Sequence, residues 1–471
     1  MSIMSAKEIG GGVPPHAIPA GPPEFDVGFA SDTSPWTPYQ KLVLLLCSLV
    51  IVLDGFDALA LGFAAPAMLP DLNLTKEELA PVLAIGLIGM TIGATIGGII
   101  GDKFGRKIAL LASTIIFGSM TGAIAFANDL PTLGLFRFIA GIGLGGALPN
   151  VTALVAEYTP QHRRSFAVTL SLVCMAVGGV VGGFVSAEAL PALGWRGLFA
   201  VAGALPLVLA LALFLLLPES PRFLVTRPER SNELRQIFER MRFDVPSDAV
   251  FVDRAESGVN KPSAATLLRP PYLRDTLLLW LAFFGCLLAV FMSFNWLPTM
   301  LADAGFDLPT SSRGLLTFNV GAIVAAVLVS WIILFTGSRL PMVIMALGGA
   351  GGALALSRMG FDPAAPKLLL LTALALLGGC IVGLQVVLYV LASHVYPTLL
   401  RATGVGLSAG IGRVGAVLSS FIGAAALSGF GPVGFYYVVA AAMAVTVIAL
   451  LLVRRHIPPS AKTGATPAAG T

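Results

Sequence analysis

The chain has 471 residues, 56% of them hydrophobic and only 11% charged, with a mean hydropathy of +0.88 and a formal net charge of +4. Ordinary soluble domains carry about 25% charged residues, so this composition excludes water as the main solvent. The basic residues lie in short clusters between apolar runs, a distribution that orients membrane helices and argues against a nucleic-acid-binding face.

Residues 1–38 contain Gly, Pro and charges without an apolar core, which fits neither a signal peptide nor a helix and predicts a disordered cytoplasmic arm. Beyond it, apolar stretches long enough to cross a bilayer, about 20 residues each, recur to Arg454. They fall at 40–66, 79–100, 107–127, 131–157, 165–188 and 196–217, then at 273–301, 312–335, 340–357, 367–394, 401–427 and 433–453. The pattern predicts an all-α membrane protein of about twelve transmembrane helices in two six-helix bundles, 39–217 and 273–455. The long polar stretch 218–272, rich in arginine, is expected as the interbundle linker, and 456–471 as a tail. Connections holding Lys103, Arg106, Lys107, Arg163, Arg164, Arg339, Arg401, Arg454 and Arg455 fall on one side, which the positive-inside rule makes cytoplasmic. Acids dominate the other side, as at Asp71, Glu77, Glu78, Asp303 and Asp307, so both termini are expected inside. A weak internal repeat supports two related halves: Glu157-Tyr-Thr-Pro160 with Arg164 recurs as His394-Val-Tyr-Pro397 with Arg401.

Charged residues inside the apolar stretches carry the chemistry. Asp54 and Asp57 stand three residues apart, on one helix face and about one turn apart. An ionised carboxylate at that depth costs at least about 2.5–3.5 kcal/mol, so the pair should face protein or a water-filled cavity. Desolvation and mutual repulsion both favour a bound proton on at least one of them, as a reversible proton carrier requires. Arg137 and Arg413 are permanent cations among apolar and glycine residues, and each needs an anionic partner, either a carboxylate of the chain or one of a substrate. Gln385, Tyr389, Asn295, Trp296 and Asn319 place amides, a phenol and an indole in the second half, where they either line a cavity for a ring or hydrogen-bond between helices. Gly141-Ile-Gly143-Leu-Gly-Gly146 matches a dinucleotide pattern in letters only. No strand precedes it, and glycines at this spacing, as also at Gly86, Gly89, Gly93 and Gly97, let helices pack closely.

Gly101-Asp-Lys-Phe-Gly-Arg-Lys107, between the second and third stretches, resembles the loop signature of the major facilitator superfamily. The resemblance covers Lys41 to Arg455 and implies two six-helix bundles around a central cavity. Glu157 with Arg164, and Pro218-Glu219-Ser-Pro-Arg222, resemble the cytoplasmic charge relay of sugar and organic-acid porters, which would latch the bundles in the outward-open state. Leu53-Asp-Gly-Phe-Asp57, Gly143-Leu-Gly-Gly-Ala-Leu-Pro-Asn150, Trp296-Leu-Pro298 and Arg401-Ala-Thr-Gly-Val-Gly406 are similar to the aromatic acid:proton symporter family. That resemblance implies functional roles for Asp54, Asp57, Asp102, Arg137, Glu157, Arg401 and Arg413; the expected gating set adds Arg106, Arg164, Glu219 and Arg222 at the cytoplasmic ends of the first half and His394 from the internal repeat. The second-half loop, Gly337-Ser-Arg-Leu-Pro341, departs from the family by lacking an Asp before its Arg.

The expectation is therefore proton-coupled uptake of a small aromatic carboxylate across a bacterial inner membrane, by a monomer without metal or cofactor. A porter for another organic acid, a sugar or another metabolite is the alternative within the superfamily. A membrane-embedded receptor or enzyme is the alternative outside it, but four scattered His and four isolated Cys (Cys47, Cys174, Cys286, Cys380) offer no metal spacing and no nucleophile with its base.

Overall fold

The computed structural model describes residues 23–246, 249–253, 264–363 and 366–459. The expected termini at 1–22 and 460–471, and linker residues 254–263 with Arg254 and Lys261, lie outside the described residues. In chain order the helices are α1 (Val27–Thr33), α2 (Pro38–Asp71), α3 (Lys76–Phe104), α4 (Arg106–Ile124), α5 (Leu130–Tyr158), α6 (Gln161–Leu216), α7 (Pro221–Val225) and α8 (Ser231–Arg240). The second half follows with α9 (Leu273–Asp303), α10 (Leu308–Thr336), α11 (Arg339–Arg358), α12 (Lys367–Val395) and α13 (Thr398–Leu452).

Local sequence signals set the helix starts. Thr37 precedes Pro38 and forms a capping box with Gln40, and Thr75 does the same with Glu78, so the orphan amides of the first turns are satisfied before each apolar run begins. Among the described residues ten helices are long and apolar enough to span a membrane, two fewer than the stretches in the sequence. The difference lies in α6 and α13, each of which contains one residue outside helical geometry, Gly194 at φ 66° and Gly431 at φ 59°. These are corners where the chain turns back. Arg164 near the start of α6 bonds the Ala156 carbonyl, Trp195 and Arg196 reach Asp71 at the opposite end, and Glu219 just beyond α6 is back beside Lys107. The ten helices thus make twelve crossings, and α2–α6 and α9–α13 form the two bundles.

Within each bundle, glycines set the closest approaches. A Cβ on Gly55 would stand 2.1 Å from the Met175 carbonyl oxygen, and one on Gly178 would stand 2.1 Å from that of Val52, so α2 and α6 touch backbone to backbone. The run at Gly141 serves α3 in the same way, facing the Gly86 carbonyl, as the packing interpretation requires.

One expectation is overturned. Residues 24–33, expected within a disordered arm, form strand β1 (Glu24–Asp26) and α1. β1 pairs in parallel with linker strand β2 (Val250–Val252), Phe25 packs edge-on against Phe238, Phe243 and Phe251, and Asp26 caps α1 through Phe29 N. Polar composition concealed the order because long-range partners in the linker supply it. The linker itself folds against the first bundle through α7 and α8, whose Leu234, Ile237 and Phe238 are buried.

The two bundles meet through α3 with α13, α2 with α9 and α6 with α10. Their polar links gather at the acidic end: Lys76 with Asp303 at 2.9 Å, Arg313 with Glu188 at 3.7 Å, and Glu77 with Ser428. Among the described residues no ion pair joins the bundles at the basic end.

Candidate functional site

α2 carries Asp54 and Asp57 into the protein interior, where their exposures are 2% and 0%. Asp57 is held on three sides. Its Oδ1 accepts from Thr121 Oγ1 of α4 at 2.8 Å and lies 3.5 Å from Nη1 of Arg137 on α5. Arg137 Nη2 also donates to the carbonyls of Asp57 and Ala58, at 3.2 and 3.3 Å, and its stem fills the space above Gly86. Thus Arg137, for which two partners were open, pairs with a carboxylate of the chain. Asp54 differs. Its Oδ1 is buried without a hydrogen-bond partner, as is Asp57 Oδ2, and the nearest opposite charges acting on it are Arg413 of α13 and Arg137.

Across from Asp54, Arg413 is partly exposed and, among the described residues, has no ion-pair partner in the chain. It acts on Tyr389 of α12, which bonds Gln385 one turn earlier and meets the Phe283 ring edge-on at 5.1 Å. Tyr389 is 37% exposed over the whole residue, while its ring packs on Phe283 and its hydroxyl bonds Gln385. The structure therefore brings Asp54, Asp57, Arg137, Arg413, Gln385 and Tyr389 into one electrostatic neighbourhood spanning both bundles.

The other polar candidates of the second half are occupied by packing. Asn295 Nδ2 donates to Ser420 Oγ at 3.4 Å, Trp296 Nε1 to the Ser420 carbonyl at 3.1 Å, and Asn319 Nδ2 to the Leu315 carbonyl at 2.9 Å. Asn319 Oδ1 lies against Gly179, on the α6–α10 contact between the bundles.

At the basic end, Asp102 pairs with Arg106, whose Nη1 reaches Asn150 Oδ1 at 3.4 Å. Glu157 accepts from the Ser220 hydroxyl, whereas Arg164 pairs with Asp32 of α1 and Arg222 lies 3.6 Å from Asp253. The relay residues are neighbours around one cavity of about 560 Å3, but Glu157 and Arg164 are not joined to each other. Glu219 accepts from Lys107 N and Ser220 N, and burial pushes its carboxyl above the usual range against those hydrogen bonds. His394 and Arg401 are exposed, and among the described residues neither has an ion pair. A second cavity, about 610 Å3, lies at the acidic end between Pro66, Lys76, Thr299, Asp303 and Ser428. Neither cavity includes the Asp54–Arg413 cluster.

Thr121, Asp32 and the Lys76–Asp303 pair were not singled out in the sequence. A lone Thr in an apolar helix and charges near helix ends are ordinary there, and only the tertiary contact gives them meaning.

Residues 47–420 match the family model of the Major Facilitator Superfamily, described by that name. The chain belongs to the major facilitator superfamily. It is 36% identical over 404 residues to the 4-hydroxybenzoate transporter PcaK of Acinetobacter baylyi, covering 84% of this chain and 86% of that one. It is also 36% identical over 404 residues to a gallate transporter of Pseudomonas putida, covering 86% and 89%. Among solved structures, the xylose transporter XylE from E. coli in an inward-open conformation superposes with a TM-score of 0.67 at 20% identity, covering 88% of this chain and 97% of that one. This major facilitator protein is accordingly a multi-pass membrane transporter rather than an enzyme.

Proposed function

We propose that the chain imports a small aromatic carboxylate, such as a benzoate or hydroxybenzoate, together with a proton, by alternating access across a bacterial inner membrane with both termini in the cytoplasm. The observation that carries this reading is that Asp54, buried with its Oδ1 unpartnered, lies within electrostatic reach of Arg413 on the opposite bundle, which has no ion pair among the described residues. Asp54 offers a proton site, and Arg413 offers a counter-charge for an anion. Tyr389 and Phe283 supply a rim on which a ring can rest. The similarity to carriers of 4-hydroxybenzoate and gallate over most of the chain supports an aromatic acid as cargo.

Energetics favour the coupling. An anion entering alone against an inside-negative potential loses about 2.3 kcal/mol per 100 mV, and one accompanying proton cancels that charge. Arg137, Asp57 and Thr121 frame the site, while Asp102, Arg106, Glu157, Arg164, Glu219 and Arg222 govern the parting of the basic end. His394 and Arg401 belong to the same gating set in the second bundle. The protein works as a monomer, each chain holding a complete site.

The test is uptake of labelled 4-hydroxybenzoate into proteoliposomes with the outside acidic, run beside empty liposomes and Asp57→Asn vesicles because the undissociated acid diffuses unaided. Uptake above both controls that a protonophore collapses is the expected result. Uptake above the controls that ignores the gradient identifies a facilitator instead.

A further inference from the structure

In the first bundle, the segment after α6 braces the turn between α3 and α4. Glu219 accepts from Lys107 N at 2.9 Å, and Gly105, at φ +107°, lies so close that a Cβ would stand 2.2 Å from Glu219 Oε2. The second bundle repeats the arrangement with other chemistry. Its turn between α10 and α11 contains Gly337, at φ +76°, and the segment after α13 folds back onto it. Ser338 N donates to the Ile457 carbonyl at 2.9 Å, and Ile457 N donates to Ser338 Oγ at 2.9 Å. Aligned on these two glycines, Leu334 stands where the first bundle has Asp102 and Ser338 where it has Arg106, so the ion pair across the first turn has no counterpart. The same segment is fastened to α9, because Asp275 accepts from Arg454 N at 3.0 Å and lies 3.7 Å from Arg455 Nε.

His456 is the pin of this brace. Its Nε2 faces the Leu450 carbonyl at 3.2 Å, which only accepts, so Nε2 carries the hydrogen. Its Nδ1 lies 3.3 Å from Ser338 Oγ. That oxygen also accepts from Ile457 N and, among the described residues, bonds no acceptor other than Nδ1, so a bare Nδ1 takes the hydroxyl hydrogen, whereas a protonated Nδ1 would leave that buried hydrogen without an acceptor. The docked geometry therefore selects the neutral imidazole.

We propose that segment 453–459 is a proton-released brace, fastening the α10–α11 turn to α9 and α13 while His456 is neutral and letting go when His456 is protonated from the compartment at this end. The charged groups around the ring are Arg339 of α11, Arg274 and Asp275 of α9, and Arg454 and Arg455 on its own segment. The one acid among them is already engaged by Arg454 N and Arg455, so a protonated ring gains no free partner. Burial first, and Arg339 next, push the imidazole below its ordinary value of 6.5. Docking is then complete above about pH 6.5 and weakens up to tenfold per pH unit below it, until the docked value is reached. The physiological meaning rests on the proposed symport: a carrier that brings in protons would slow as the cytoplasm acidifies, limiting its own acid load.

The test uses the full chain in nanodiscs, with the four native cysteines replaced by alanine and spin labels at Leu340→Cys and Pro458→Cys, both exposed positions. One narrow distance is expected at pH 8, with a broad component growing below about pH 6.5. His456→Gln, whose amide keeps both hydrogen bonds and binds no proton, should stay narrow throughout, and Ser338→Ala should be broad throughout. A wild type that is narrow from pH 8 to 5.5, or broad at every pH, overturns the proposal, as does a His456→Gln profile identical to wild type. Uptake by the same samples reports separately on symport: absent uptake with pH-dependent release refutes the carrier assignment and leaves the brace standing.

Discussion

The two carboxylates of α2 should fail differently when neutralised, because only one of them is paired. Asp54→Asn removes a carboxylate that makes no hydrogen bond through Oδ1 and leaves no cation stranded at contact distance. The fold should tolerate it, with a change in melting temperature near that of a surface substitution. Coupling should not survive. With one proton per substrate, each pH unit of gradient is about 1.36 kcal/mol, or about tenfold accumulation, and Asp54→Asn should fall to no accumulation at all while still exchanging labelled for unlabelled substrate. Asp57→Asn should lose accumulation too, but with a stability penalty, since Arg137, its side chain only 7% exposed, then lacks its anion. Breaking a buried pair costs about 3–5 kcal/mol. The 3.5 Å separation and the two backbone carbonyls that still hold Arg137 place this case at the low end, about 3 kcal/mol. Adding Arg137→Gln should recover part of that loss. Thermal unfolding in detergent, counterflow and gradient-driven uptake measure the three quantities. The reasoning collapses if Asp54→Asn accumulates substrate tenfold per pH unit like the wild type, or if Asp57→Asn melts no lower than Asp54→Asn.

Three further outcomes follow from particular contacts. Thr121→Val removes the 2.8 Å hydrogen bond to Asp57 and should lower stability by about 1 kcal/mol in detergent unfolding, with slower uptake. Lys76→Gln should loosen the acidic end; a partly exposed pair is worth at most about 1 kcal/mol, so labelling of a Ser428→Cys probe by an impermeant maleimide should rise up to about fivefold, and the swap Lys76→Asp with Asp303→Lys should reverse it. Gly178→Val should abolish folded protein, because its Cβ would press on the Val52 carbonyl at 2.1 Å, whereas Gly134→Ala, with nothing within 4 Å, should be neutral by size-exclusion profile.

Charge inside apolar helices was the most legible signal in the sequence. Asp54, Asp57, Arg137 and Arg413 stand out because burying them is expensive, and the structure gathers all four. Their pairing was not legible, since Asp57 and Arg137 are 80 residues apart and nothing local distinguishes Arg137, which finds a carboxylate of the chain, from Arg413, which has none among the described residues. Asn295, Trp296 and Asn319 resembled cavity liners for the same reason, as an amide looks identical in sequence whether it meets a ligand or Ser420. The twelve crossings followed from hydropathy, but their merger into ten helices did not, because one glycine suffices to turn the chain. Residues 24–33 were misjudged because β1 and Phe25 draw their order from the linker more than 200 residues away.

The corners at Gly194 and Gly431 leave almost no slack between the arms they join. In most hairpins a loop absorbs small relative displacements of its two helices. Here far ends are held as well, both arms of the first hairpin by Arg164 and the Glu219 segment, and the returning arm of the second by the segment that docks on Ser338. Displacement of an arm at the open end of either hairpin should therefore reach its apex with little loss. The apex of the first hairpin is tied by Arg196 to Asp71 and Asn128, and the second lies beside Ser428, which bonds Glu77 of the other bundle. A change at the open ends should thereby be felt at the apices with no chemical messenger between them.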